Sequence, residues 1–180
     1  MPAQIPDEAP LEVFAECADW LILIGGRAVQ AYGVDRMTFD ADCAVLMEDE
    51  GRLKEALGRV GYVLEEPRET FIRFVHLGRR RPVVDAMRLD AETYRKLMAE
   101  TRLVQVGGFL LRVPAPLHLV AMKLHALKQN PERDYKDWVD IRHLLEKHPE
   151  GWTREDLQGI VGRYASEEIR ERLRRLGFIP

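Results

Sequence analysis

The stretch Ile24–Leu46, IGGRAVQAYGVDRMTFDADCAVL, decides how this chain is read. A glycine pair, Gly25-Gly26, closes the apolar run LILI, and the run FDADCAVLM that follows reads as a second buried strand. That strand carries Asp40 and Asp42. Residues i and i+2 of a strand share a face, so the two carboxylates project together. Setting like charges side by side in a sheet is costly unless a cation or hydrogen-bond donors compensate them.

A further carboxylate, Asp85, interrupts a later apolar strand, PVVDAM. Aspartate is depleted in strands, so two such interruptions in one small sheet call for a physical reason. Three carboxylates converging from neighbouring strands make a hard-oxygen set suited to Mg²⁺. Such a set can hold two ions that clamp the attacking and leaving oxygens of a phosphoryl group. A second reading stays open at this point: water-facing aspartates, or partners of Arg36 or Arg88, because short motifs recur by chance. The Gly25-Gly26 turn lets a backbone approach phosphate at the start of a short helix near Arg27, and it equally suits an ordinary tight turn. Strand, glycine pair, short helix and DxD strand in that order are far rarer than any one of them.

The chain has 180 residues, 46% hydrophobic and 32% charged, enough apolar material for a packed core. Its formal charge of −3 gives no global attraction to nucleic acid, so any such contact rests on local basic patches. Two cysteines, Cys17 and Cys43, form no CxxC pair, which argues against a disulfide framework or a cysteine zinc site. The start, MPAQIPDEAP, lacks a basic and apolar leader pattern, and no apolar run reaches the roughly 20 residues of a membrane span. The expectation is a cytoplasmic protein without a membrane partner.

Outward from the opening stretch, EDEGRLKEALGRVGY has the apolar spacing of an amphipathic helix, and YVLEE, TFIRFVHL and RPVVDAMRL read as strands. GRRR at Gly78–Arg81 is a hairpin-turn candidate whose charge could also meet a polyanion such as RNA. DAETYRKLMAE reads as a helix capped by Asp90, and TRLVQVGGFLLRV as a hairpin around Gly107-Gly108. Beyond Pro114 the periodicity is helical throughout, broken at Pro131, Pro149 and Gly151. The expected organisation is therefore an α/β core over residues 1–113 and a helical subdomain over 114–180.

These motifs resemble a known family. GG followed by RMTFDAD, with VVDAM later, is similar to the nucleotidyltransferase superfamily related to DNA polymerase beta. The Arg-x-Thr-x-Asp-x-Asp form, here Arg36, Thr38, Asp40 and Asp42, resembles its abortive-infection branch, which includes type IV toxins. The segment LVAMKLHALKQNPERDYKDWVDIRHLL resembles that branch's helix lysine and Arg-x-x-Lys-Asp-x-x-Asp run. The resemblance implies an α+β fold, a mixed sheet flanked by helices with a C-terminal helical subdomain. It implies catalytic, metal-binding Asp40, Asp42 and Asp85 with two Mg²⁺ ions, and nucleotide contacts from Gly25, Gly26, Arg36, Thr38, Lys123 and Asp137. The expected partners are an NTP, an acceptor (RNA or tRNA, or a small hydroxylated molecule) and a cognate antitoxin.

The residues alone say less about the helical segment. Lys123 lies in an apolar turn where its stem could be buried and its head could reach a cleft, or on an ordinary exposed face. Arg133, Lys136, Asp137 and Asp140 share a helix face, which also fits a salt-bridged surface stripe. Ala41 is smaller than the branched residue expected between the aspartates, and Gly26 stands where a serine hydroxyl could meet phosphate. A nucleotide-binding module without turnover and an antibiotic-modifying transferase are the alternative functions.

Overall fold

The computed structural model describes residues 9–35, 37–65, 68, 70–78 and 81–180. The chain divides into two units: the described residues up to Ala31 with Asp35–Pro114, and Tyr32–Val34 with Ala115–Pro180.

In the first unit α1 (Leu11–Glu16) leads to β1 (Ile22–Ile24), α2 (Gly25–Gln30) and β2 (Ala41–Leu46). Then come α3 (Glu50–Gly58), β3 (Tyr62–Leu64), β4 (Phe71–His76), β5 (Val84–Leu89) and α4 (Ala91–Ala99). The unit closes with the hairpin of β6 (Thr101–Val106) and β7 (Phe109–Pro114). The main sheet has the order β1-β2-β5-β4-β3. Its β2–β5 pairing is parallel, and its other pairings are antiparallel. The sheet is therefore mixed, with α2, α3 and α4 packed against its strands.

Strand alternation sets the two faces apart. Leu23, Cys43, Ala86 and Ile72 lie in register across four strands, with Ala41, Val84 and Phe74 beside them, and all are fully buried. The opposite face carries Asp42, Asp85 and Arg73 in one register row. Ala41 is on the core face against Val84, so its small side chain belongs to core packing. Cys17 and Cys43 are free and buried.

Local chemistry explains the element ends. Asp90 accepts from the backbone N–H groups of Glu92 and Thr93, capping α4. Gly107 and Gly108, with φ of 56° and 86°, supply the tight turn between β6 and β7. The candidate turn GRRR lies partly outside the described residues, at 79 and 80.

The second unit is helical: α5 (Pro116–Gln129), α6 (Asp134–Lys147), α7 (Arg154–Tyr164) and α8 (Glu167–Arg175). Pro116 opens α5, where its missing N–H costs nothing. Thr153 and Asp156 form a reciprocal capping box on α7. Leu119, Val120, Leu124, Ile141, Leu144 and Leu157 build its core. His148 ties Tyr32 into this unit, with Nε2 2.9 Å from the Tyr32 carbonyl oxygen and the two rings edge to face. Among the described residues no helix is long and apolar enough to cross a membrane.

Candidate active site

β2 begins at Ala41, whose N–H donates to the Val83 carbonyl at 3.0 Å. Asp40 therefore stands one residue before the strand and is exposed, rather than lying on it as the alternation of FDADCAV predicts. The ladder starts where β5 can accept a hydrogen bond, and that point is set by the partner strand. Asp40 is anchored through its main chain, where Arg27 Nε on α2 donates to its carbonyl oxygen at 3.2 Å.

Asp42 and Asp85 are register partners on the parallel pair β2–β5, and both are half-buried. Side chains so placed stand about 5 Å apart on one face, where like charges repel. Gly25 faces the same carboxylate. Ile24 pairs with Asp42, and the chain then turns at Gly25 with φ 66°. A Cβ at Gly25 would overlap the Asp42 carboxylate. Glycine is thus required twice there, by its left-handed backbone and by the oxygen beside it. Gly26 is buried as the next residue of α2.

Gly25→Ala is accordingly expected to push the Asp42 carboxylate aside. Misplacing a reacting group by about 1 Å costs on the order of 10²-fold in rate, and the left-handed backbone adds roughly 1–2 kcal/mol of strain. Pyrophosphate release and urea unfolding measure the two effects. Wild-type rates in this variant would show that the turn does not shape the site.

Asp85 is held by Arg73 of β4, its antiparallel register partner. Arg73 Nε and Nη2 donate to the two carboxylate oxygens at 2.8 Å each, a bidentate fork. The hydrogen bond and charge of Asp85 push the guanidinium pKa up, with smaller help from Glu65 and Asp40. Thr38 is half-buried in the segment leading to Asp40. Arg36 lies outside the described residues.

In the second unit, Lys123 of α5 and Asp137 of α6 meet. Lys123 Nζ lies 2.7 Å from Asp137 and 2.8 Å from Asp140, and Arg133 Nε lies 2.7 Å from Asp137. Both aspartates are fully buried, and the Lys123 side chain is 7% exposed. The shared face of α6 is a buried charge cluster, not a surface stripe. Burial alone would raise the Asp137 pKa, yet hydrogen bonds from Arg133 and Lys123, and their charges, hold the carboxyl below its ordinary range. Asp140 and Arg73 are the residues that sequence reasoning did not single out for a site. The spacing of the Arg-x-x-Lys-Asp-x-x-Asp run was the available signal for Asp140, and nothing local marks Arg73.

The carboxylates of the first unit are oxygen donors of the kind Mg²⁺ takes, and Asp42 and Asp85 share one register position on adjacent strands. Among the described residues no group of three or more His, Cys, Asp or Glu side chains is gathered closely enough to hold a metal ion. The engagement of Asp85 by Arg73 is part of that arrangement.

Solved structures share this architecture. ANT(2″)-Ia in complex with adenylyl-2″-tobramycin matches with a TM-score of 0.67 and 16% identity, over 86% of this chain and 97% of that one. An antigenic nucleotidyltransferase-like protein from Paracoccidioides brasiliensis matches at 0.56 and 14%, over 91% and 89%. The lincosamide antibiotic adenylyltransferase LnuA, lincomycin-bound, matches at 0.54 and 13%, over 74% and 90%. No curated protein matches by sequence. The fold is that of the polymerase-beta-like nucleotidyltransferases. Residues 12–176 match the model of one particular family, and the chain belongs to it: the nucleotidyl transferase AbiEii toxin family of type IV toxin–antitoxin systems. It is a nucleotidyl-transferring enzyme by that membership.

Proposed function

We propose that this enzyme moves a nucleotidyl group from an NTP to a hydroxyl of an RNA acceptor, with pyrophosphate as the leaving group, as the toxin of a toxin–antitoxin pair. The observation that carries the reading is the register pair Asp42–Asp85 beside the Gly25 turn. Asp40, Asp42 and Asp85, which would have to draw closer together than they stand here, would hold Mg²⁺, which when bound supplies Lewis-acid stabilisation of the phosphoryl oxygens. The Asp42 carboxylate packs against Gly25, and Gly25 and Gly26 are read as the backbone turn that would meet the triphosphate. Thr38 belongs to the segment leading into Asp40 and would support it or the nucleotide.

Membership of a toxin family favours a cellular acceptor, here taken to be RNA. The antibiotic adenylyltransferases of the same fold favour a second reading, a small hydroxylated acceptor. One experiment decides between them. The chain is incubated with each labelled NTP, Mg²⁺ and either total RNA or a panel of aminoglycosides and lincosamides. Label is expected in RNA, dependent on Mg²⁺. Label in the small molecules alone supports the second reading. Pyrophosphate release from none of them, with NTP binding intact, leaves a binding module without turnover.

A further inference from the structure

The row Asp42–Asp85–Arg73 runs across β2, β5 and β4 and continues to Glu65, whose N–H donates to the Arg73 carbonyl at 2.8 Å. Asp85 therefore has a carboxylate on one side and a guanidinium on the other. Its side chain is 23% exposed, so water screens the repulsion from Asp42 only in part. Arg73 is the cation that offsets it, and its fork occupies both Asp85 oxygens. Those are the same oxygens that a divalent ion shared with Asp42 would use.

From this geometry we infer that Arg73 is a built-in counter-ion that a divalent metal must displace from Asp85, so that it sets the metal affinity of the site. The inference rests on the metal-binding role proposed above for Asp42 and Asp85. Arg73 acts through Asp85 and is a positioning residue. In the metal-free protein it fixes the carboxylate on the Asp42 side of the sheet. When a metal binds, the same fork opposes it. The Arg73 side chain is 38% exposed, so the guanidinium can swing into water once the carboxylate is taken.

The test measures binding of Mn²⁺ alone, by the loss of the free-ion EPR signal, in the full chain and four variants. Arg73→Gln is expected to bind Mn²⁺ about three- to tenfold tighter than wild type, the range expected for a bidentate pair of partial exposure. Arg73→Lys keeps the charge without the fork and is expected to fall between them. It also serves as the readout should Arg73→Gln fail to fold. In the Asp85→Asn background, adding Arg73→Gln is expected to produce no gain, because the competition has been removed. Equal or weaker binding by Arg73→Gln and Arg73→Lys, with measurable wild-type binding, overturns the role of Arg73 and leaves the metal site standing. A gain that persists undiminished with Asp85→Asn also overturns it, since the effect would then be one of overall charge. Absence of Mn²⁺ binding in wild type and variants alike overturns the metal reading itself, and this inference with it.

Discussion

Asp42→Asn is expected to lower nucleotidyl transfer on the order of 10²–10³-fold, the scale of losing one charge-stabilising group at a reacting phosphoryl, while folding stability moves by less than about 1 kcal/mol. The two effects separate because of where Asp42 sits. Its half-buried carboxylate stands beside Asp85 on the adjacent strand, where like charges repel. Asparagine keeps the shape and removes that repulsion. Pyrophosphate release measures the first effect and urea unfolding the second. Activity within tenfold of wild type would remove Asp42 from the chemistry. A loss of several kcal/mol would instead make the carboxylate a structural group.

Lys123→Met is expected to destabilise the helical unit by about 3–5 kcal/mol, because it strips one cation from two fully buried carboxylates. Arg133 remains beside Asp137, but its side chain is 45% exposed, so solvent weakens its hold on the cluster. Replacing Lys123, Asp137 and Asp140 together by apolar residues of similar size should recover most of the loss. Tryptophan fluorescence during urea unfolding follows both variants. A triple variant no more stable than Lys123→Met would show that the cluster contributes net stability of its own. The pH dependence has a definite sign. The Asp137 carboxyl is held below its unfolded value by Arg133 and Lys123, against burial, so the unfolded chain takes up the proton first. The contribution is complete above about pH 4 and disappears as pH falls through the lower folded value.

The glycine pair, the DxD and Asp85 were legible because each breaks a local rule. Glycines end an apolar run, and aspartates interrupt strands whose neighbours are apolar. Periodicity put the break between α/β and helical texture between 113 and 114, and the two units part between Pro114 and Ala115, with Tyr32–Val34 in the second. The assignment of Tyr32–Val34 to the helical unit was not legible, since a His148 contact to a distant carbonyl leaves no local pattern. Asp40 read as a strand residue because alternation cannot say where the ladder begins. That depends on the Val83 carbonyl, just before the neighbouring strand. Arg73 escaped for the same reason: its pairing with Asp85 is a matter of register between β4 and β5. The burial of Asp137 and Asp140 escaped because four charges at helical spacing look alike whether they face water or a lysine on another helix.

The parallel pairing of β2 with β5 has a consequence for how the protein comes into being. Parallel neighbours cannot be joined by a tight turn, and here α3, β3 and β4 intervene in the chain. Such contacts form only after a long loop has closed, which makes them slow relative to local hairpins. A nascent chain that has emerged through His76 already holds the glycine turn, Asp42 and Arg73, but lacks Asp85. The missing strand is the middle one of the sheet, flanked by β2 and β4. Its insertion joins the two halves of the sheet and brings the carboxylate pair together in one step. The proposed carboxylate pair therefore forms only with the central strand, and a chain that ends before it does not carry the pair.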